Sequence, residues 1–209
     1  MIEFLTLKDI NSSHFKEMME IYLNSFPENE RHPDKIIANR IASGKEICYI
    51  GVQTSKVVFM ALLWPLNGTD FILIDYLATK KENRQSGLAK SFINYIKQKS
   101  IKDSKNLILE VEDPKFGTNT NEREKRITFY RKLGFKQFAD IKYILPPLQG
   151  DQETQMLLMV FQSFPSEFID GKQAIELISR IYSELYGISK DSQLLKQIKD
   201  TINEQVRII

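Results

Sequence analysis

The sequence predicts a mixed α/β (α+β) domain with a largely antiparallel sheet, followed by a C-terminal helical extension. Three observations point there. Residues 47–79 contain three apolar runs whose polar gaps are short enough for antiparallel hairpins. Residues 84–111 read as a glycine turn, an amphipathic helix and an apolar strand, and the chain beyond residue 163 carries helical periodicity. With 209 residues, the chain is long enough for one principal domain and a compact appendage, so the expected division is 1–162 and 163–209.

The elements follow in order. Residues 2–7 read as a short strand. Phe15, Met18, Met19, Tyr22 and Phe26 then recur at helical steps, with Ser12 or Ser13 as cap and Pro27 as stop. Pro33 suits the first turn of a second helix reaching about Ser43. Strands are expected at Ile47–Gln53, Lys56–Leu66 and Phe71–Thr79, separated by Thr54-Ser55 and Asn67-Gly68-Thr69. From Gly87, residues Leu88, Phe92, Ile93 and Ile96 form one helical face, and the strand Leu107–Val111 follows. A helix from about Asn121 carries Ile127, Tyr130 and Leu133 and ends at Gly134. Further strands are expected near Phe135–Tyr143 and Gln155–Phe161. Two amphipathic helices close the chain, one with Ile175, Ile178, Ile181, Tyr182 and Leu185, the other with Leu194, Leu195, Ile198 and Ile202.

Composition narrows the function. A formal charge of +2 is too small for the positive field that non-specific nucleic-acid binding needs. The single cysteine, Cys48, precludes an intramolecular disulfide and fits a reducing compartment. Met1–Lys8 has neither the basic patch nor the apolar run of a secretory signal, and the longest apolar stretch, 57–66, is about half a membrane-spanning helix. The expectation is a cytoplasmic protein, monomeric or homodimeric, with no membrane partner. His14 and His32 read as surface or capping residues, and no His, Cys or carboxylate set has metal-ligand spacing, so no metal is expected.

The chemistry centres on Arg84-Gln85-Ser86-Gly87-Leu88-Ala89. At a strand-to-helix turn, backbone N–H groups are free to face an anion, and a pyrophosphate is a natural guest. Gly87 lets a phosphate oxygen approach without a Cβ in the way, while Lys80, Lys81, Arg84 and Lys90 add positive charge. The run G-x-x-x-x-G-K-[ST] and the run G-x-G-x-x-G are both absent, which argues against the common nucleotide folds.

Arg84–Ala89 resembles the Q/R-x-x-G-x-G/A signature of the GNAT superfamily of N-acetyltransferases, and Asp75-Tyr76-Leu77-Ala78-Thr79 is similar to that family's fourth strand. A second signature agrees: LILEVEDP at Leu107–Pro114 with RITFYRKLGF at Arg126–Phe135 resembles the family's fifth strand and fourth helix. The resemblance covers residues 1 to about 162. Lys81 stands where many members have proline, and the tail lies outside the family pattern.

The resemblance implies a mostly antiparallel central sheet with helices on both faces and acetyl-CoA as co-substrate. The amides of Gln85, Ser86, Gly87, Leu88, Ala89 and Lys90, beside Arg84, would hold the pyrophosphate, and the backbone of Leu77, Ala78 and Thr79 would pair with the pantetheine arm. Tyr130 matches the position of a general acid for the departing thiolate. For the base there are three carboxylates. Glu110 and Glu112 lie two apart on one strand and share a face, and Asp75 stands on the fourth strand, where a carboxylate acts through water in some members. Glu28, Glu30 and Arg31 fall in a region that helps form the acceptor pocket in such proteins. The implied reaction is direct attack of a small-molecule or peptide amine on acetyl-CoA in a ternary complex. The alternatives are a longer acyl group and a non-catalytic acyl-CoA-binding or interaction module.

Overall fold

A computed structural model describes residues 2–163 and 165–209. The chain runs β1 (Glu3–Leu7), α1 (Ser13–Ser25), α2 (Asp34–Ala42), β2 (Ile47–Gln53), β3 (Lys56–Pro65), β4 (Phe71–Thr79), α3 (Leu88–Lys102) and β5 (Asn106–Glu112). It continues with α4 (Thr120–Lys132), β6 (Lys136–Gln137), β7 (Tyr143–Leu145), β8 (Thr154–Phe161), β9 (Phe168–Asp170), α5 (Gly171–Glu184), α6 (Gln193–Lys199) and β10 (Gln205–Arg207). The class is mixed α/β, mostly antiparallel, and the chain divides into two compact units.

The first unit holds residues 2–65, 73–98 and 147–152. Here β1 pairs antiparallel with β2, from Glu3↔Val52 to Leu7↔Cys48, and β2 pairs antiparallel with β3. Thr54 and Ser55, with φ of 49° and 62°, both take the left-handed conformation that a two-residue hairpin turn needs. Alternation along β2 sends Cys48 and Ile50 toward Met18, Tyr22 and Ile37 of the two preceding helices. Tyr49 goes the other way, to Phe92 and Tyr95 of α3, where Phe4 and Phe59 complete an aromatic cluster. Helices thus cover both faces of this sheet. Ser12 caps α1 by accepting from the Phe15 N–H, and Phe26-Pro27 ends it.

The second unit holds residues 66–72, 99–146 and 153–209. Its sheet is built on β8, which pairs antiparallel with β5, β6 and β7. The single strand expected near Phe135–Tyr143 is two short ones, because Asp140 turns left-handed at φ 61° and the Ala139 N–H goes to the Arg207 carbonyl. The tail belongs to this unit. Leu177, Ile178, Ile181 and Tyr182 of α5 are buried, and the Tyr182 hydroxyl donates to the Ile144 carbonyl. The last helix is shorter than its periodicity suggests, ending at Lys199 and leaving Ile202 outside.

A small two-stranded antiparallel sheet, β9 with β10, was not expected at all. It explains Gly171: a Cβ there would lie 2.1 Å from the Asn203 carbonyl oxygen, and the Gly171 N–H donates to Glu204 O at 2.7 Å. No described helix is long and apolar enough to cross a membrane.

Candidate active site

Between β4 and α3 the chain makes a short 3-10 turn, Lys81–Asn83, and then the glycine loop. Gln85 (φ 63°) and Gly87 (φ 82°) are both left-handed around Ser86. Conformations that alternate in this way turn successive N–H groups toward one side, the geometry of an anion nest. The Ser86 hydroxyl donates to the Asn83 carbonyl, which pins the turn. Beyond it α3 begins at Leu88, so the amides of Leu88, Ala89 and Lys90 have no acceptor within their own helix. Arg84 to Gly87 are exposed, and a Cβ built on Gly87 would meet no atom within 4 Å. Space over the loop is therefore open. Upstream on β4, Leu77 and Thr79 are half-buried while Ala78 faces the core.

Asp75 lies on the same strand, and it is not a free surface carboxylate. Its side chain is 4% exposed and meets the Arg40 guanidinium at 3.6 Å, while Arg40 stacks over Trp64 with 5.0 Å to the ring centroid. A second carboxyl, Glu46, is buried beside it. Burial, followed by the neighbouring Glu46 charge, holds Asp75 well above the usual carboxylate range. Sequence reasoning missed both Arg40 and Glu46. Glu46 follows Gly44-Lys45 and looks like part of a polar turn; only its neighbours in space mark it.

His32 also departs from expectation: it is buried instead of lying at the surface. Its backbone carbonyl accepts from the Tyr22 hydroxyl at 3.0 Å and its N–H donates to Tyr76 Oη at 3.2 Å. Burial, with the Arg40 charge, pushes its imidazole down to about 3. The adjoining segment holds Glu28, Glu30 and Arg31 in place mainly by main-chain contacts. Arg31 donates to the carbonyls of Leu23 and Phe26 at the end of α1, Tyr76 donates to the Glu30 carbonyl, and the Gln149 side chain donates to the Arg31 carbonyl. Glu28 is exposed.

In the second unit, Glu110 and Glu112 do share a face of β5, and each has its own partners. Glu110 accepts from the hydroxyls of Tyr143 and Tyr186, the latter at 2.7 Å on Oε1. Tyr186 comes from the tail, beyond the resemblance. Glu112 is held between Arg123, at 2.8 Å, and Arg126, both on α4. Arg123 also reaches the carbonyls of Asp113 and Phe116, and a Cβ on Gly117 (φ 81°) would sit 2.9 Å from its guanidinium. Tyr130 is buried, with its ring edge-on to Phe129 and Phe135. Burial raises its phenol pKa, against a smaller opposing effect of Arg126, so the hydroxyl keeps its proton at neutral pH. Gly134 (φ 85°) ends α4 as expected. No cluster of three metal-ligating side chains occurs among the described residues.

No curated protein matches the chain. Solved structures do. A putative acetyltransferase of the GNAT family from Bacteroides thetaiotaomicron aligns over 90% of this chain and 99% of its own, with a TM-score of 0.74 and 23% identity. The ribosomal-protein-S18-alanine N-acetyltransferase from Escherichia coli aligns over 79% of this chain and 96% of its own, with a TM-score of 0.59 and 16% identity. An aminoglycoside 6'-N-acetyltransferase complexed with coenzyme A aligns over 78% and 98%, with a TM-score of 0.59 and 17% identity. At these identities the likeness establishes the fold. Residues 44–137 match the family model described as acetyltransferase (GNAT) domain, a span that contains the glycine loop, β4 and α4. Over residues 44–137, just under half of the chain, the sequence is thus similar to the acetyltransferase (GNAT) domain.

Proposed function

We propose that the protein transfers an acetyl group from acetyl-CoA to an amine by direct attack within a ternary complex. The observation that carries this reading is the glycine loop: two left-handed residues, amides without a helical acceptor at the start of α3 and open space over Gly87. That arrangement suits a pyrophosphate, with Arg84 and Lys90 adding charge, and the half-buried Leu77 and Thr79 at the end of β4 are the proposed main-chain partners of the pantetheine arm. One structural relative is itself a complex with coenzyme A. Structural relatives named for a ribosomal-protein alanine and for an aminoglycoside show how differently this fold can choose acceptors, so the acceptor here is given only as an amine.

Each chemical role has a candidate. Tyr130 keeps its proton at neutral pH and can give it to the thiolate. Of the three candidate carboxylates, Glu110 accepts from two phenols and Glu112 from two guanidiniums, whereas Asp75 is held well above the usual carboxylate range, and we take Asp75 as the base. Glu28, Glu30 and Arg31 are proposed as acceptor contacts on the loop after α1.

The test is release of free thiol from acetyl-CoA across a panel of amine acceptors. Wild type turns over with at least one of them. Tyr130→Phe keeps the ring packing, binds coenzyme as before and loses about a hundredfold to ten-thousandfold in kcat. Thiol release that Tyr130→Phe leaves unchanged would remove Tyr130 from the mechanism, and no release with any amine would favour a binding module.

A further inference from the structure

Arg40, Glu46 and Asp75 place two carboxyls and one guanidinium in the interior of the first unit. Glu46 is 2% exposed, and the side chains of Asp75 and Arg40 are 4% and 10% exposed. With both carboxyls ionised, Glu46 Oε1, Glu46 Oε2 and Asp75 Oδ2 are all buried without a hydrogen-bond donor among the described residues. The set would also bury more negative charge than Arg40 can balance, a costly arrangement. One proton balances the charge and supplies one of the missing donors. An Asp75 carboxylic acid donates to Glu46, and the single remaining negative charge faces Arg40.

The other ionisable groups around the pair come from every element packed against it, and none competes for that proton. His32, before α2, is held neutral by burial and by Arg40. Burial is the main cause that raises Tyr22 of α1, Tyr76 of β4 and Cys48 of β2. Glu46 is itself raised by burial, against the opposing effects of its bond to Asp75 and of Arg40.

We propose that Glu46 and Asp75 act as one proton-holding pair in acyl transfer, Asp75 receiving the amine's proton through water as its own proton passes to Glu46. This rests on the acetyltransferase reading above. As the amine nitrogen bonds to the thioester carbonyl carbon, the carbon–sulfur bond breaks and the sulfur leaves with the electron pair. The thiolate takes the Tyr130 proton, which solvent restores. The nitrogen's proton ends on Asp75, and the doubly protonated pair later returns one proton to solvent. A solvent-exposed carboxylate is a weak base toward an amine at neutral pH, and burial, which raises both Glu46 and Asp75, makes this pair hold protons more tightly than an exposed carboxylate would. Glu46 touches no substrate in this scheme. It is a positioning residue that sets the protonation of Asp75.

Two measurements test this. Infrared spectra of wild type at neutral pH should contain the C=O stretch of a buried carboxylic acid, lost in Asp75→Asn and in Glu46→Gln. In steady-state assays with an acceptor found in the screen, Glu46→Gln should lower kcat at least about tenfold and move the acidic limb of its pH profile by about one unit or more. Coenzyme affinity should not change, and Glu46→Asp should restore part of the rate. Absence of the band from wild type would overturn the pair whether or not the variants fold. A kcat–pH profile that Glu46→Gln leaves unaltered would overturn its part in the reaction. Failure of the acetyltransferase reading is distinct from both, since wild type would then release no thiol with any amine.

Discussion

The two units satisfy their inward carboxyls in opposite ways. In the second unit, Glu112 sits between two guanidiniums and Glu110 beneath two phenols, so donors outnumber carboxylates. In the first unit, Asp75 and Glu46 share one guanidinium, and a proton has to supply a missing donor. The same residue type is thus a fixed anchor in one place and a titrating group in the other. Counting donors against acceptors separates them, and burial points the same way, since Asp75 and Glu46 have buried side chains while Glu110 and Glu112 are half-buried.

The comparison can be broken most severely at the tail. Truncation after Ser163 removes Tyr186 from Glu110 and takes away the buried face of α5, including Leu177, Ile178, Ile181 and Tyr182. Each such side chain contributes about 1.5–3 kcal/mol on burial, so the sum is comparable with the whole stability of a domain. The second unit should lose its cooperative melt, as followed by circular dichroism. A truncated protein that melts like the full chain would show that the anchors on β5 do not depend on the tail.

The next effect is expected at Arg40. Arg40→Met leaves the Asp75–Glu46 pair with a buried charge and no cation, for a loss of about 3–5 kcal/mol in denaturant unfolding at neutral pH. Lower pH should recover part of the loss. Both carboxyls are raised in the fold, so protonated forms favour the native state and stability falls as pH rises through their native values. A loss that is independent of pH would contradict the shared-proton account. Smallest is Glu112→Gln. Arg126 is 49% exposed and can be hydrated again, and glutamine keeps one acceptor, so about 1 kcal/mol is expected. A loss as large as that of Arg40→Met would erase the distinction between the units.

Much of this fold was legible in the sequence, and the reasons are local. β2, β3 and β4 came out within a residue of their bounds because each is a long apolar run closed by turn residues. The glycine loop was legible because its signature is contiguous. The short pairing of β9 with β10 was not, since three-residue strands carry no usable alternation and their partners lie 35 or more residues apart. Nor was the break at Asp140, where a residue that tolerates the left-handed conformation sits inside an otherwise strand-like run. Of the candidate site, Asp75 was found from its strand, but Glu46 and Arg40 were not. Their meaning depends on residues 29 and 35 positions away coming together, which no spacing along the chain reveals.

The central claim is that the loop from Arg84 to Lys90 holds acetyl-CoA, and calorimetric titration tests it most directly. Wild type should bind acetyl-CoA with a matching rise in melting temperature, because a ligand taken only by the folded state stabilises it. Gly87→Glu should abolish both effects: it places a side chain and a negative charge in the open space over a residue at φ 82°. Wild type without heat of binding or thermal shift at millimolar coenzyme, or a Gly87→Glu protein that binds as wild type does, would contradict the account.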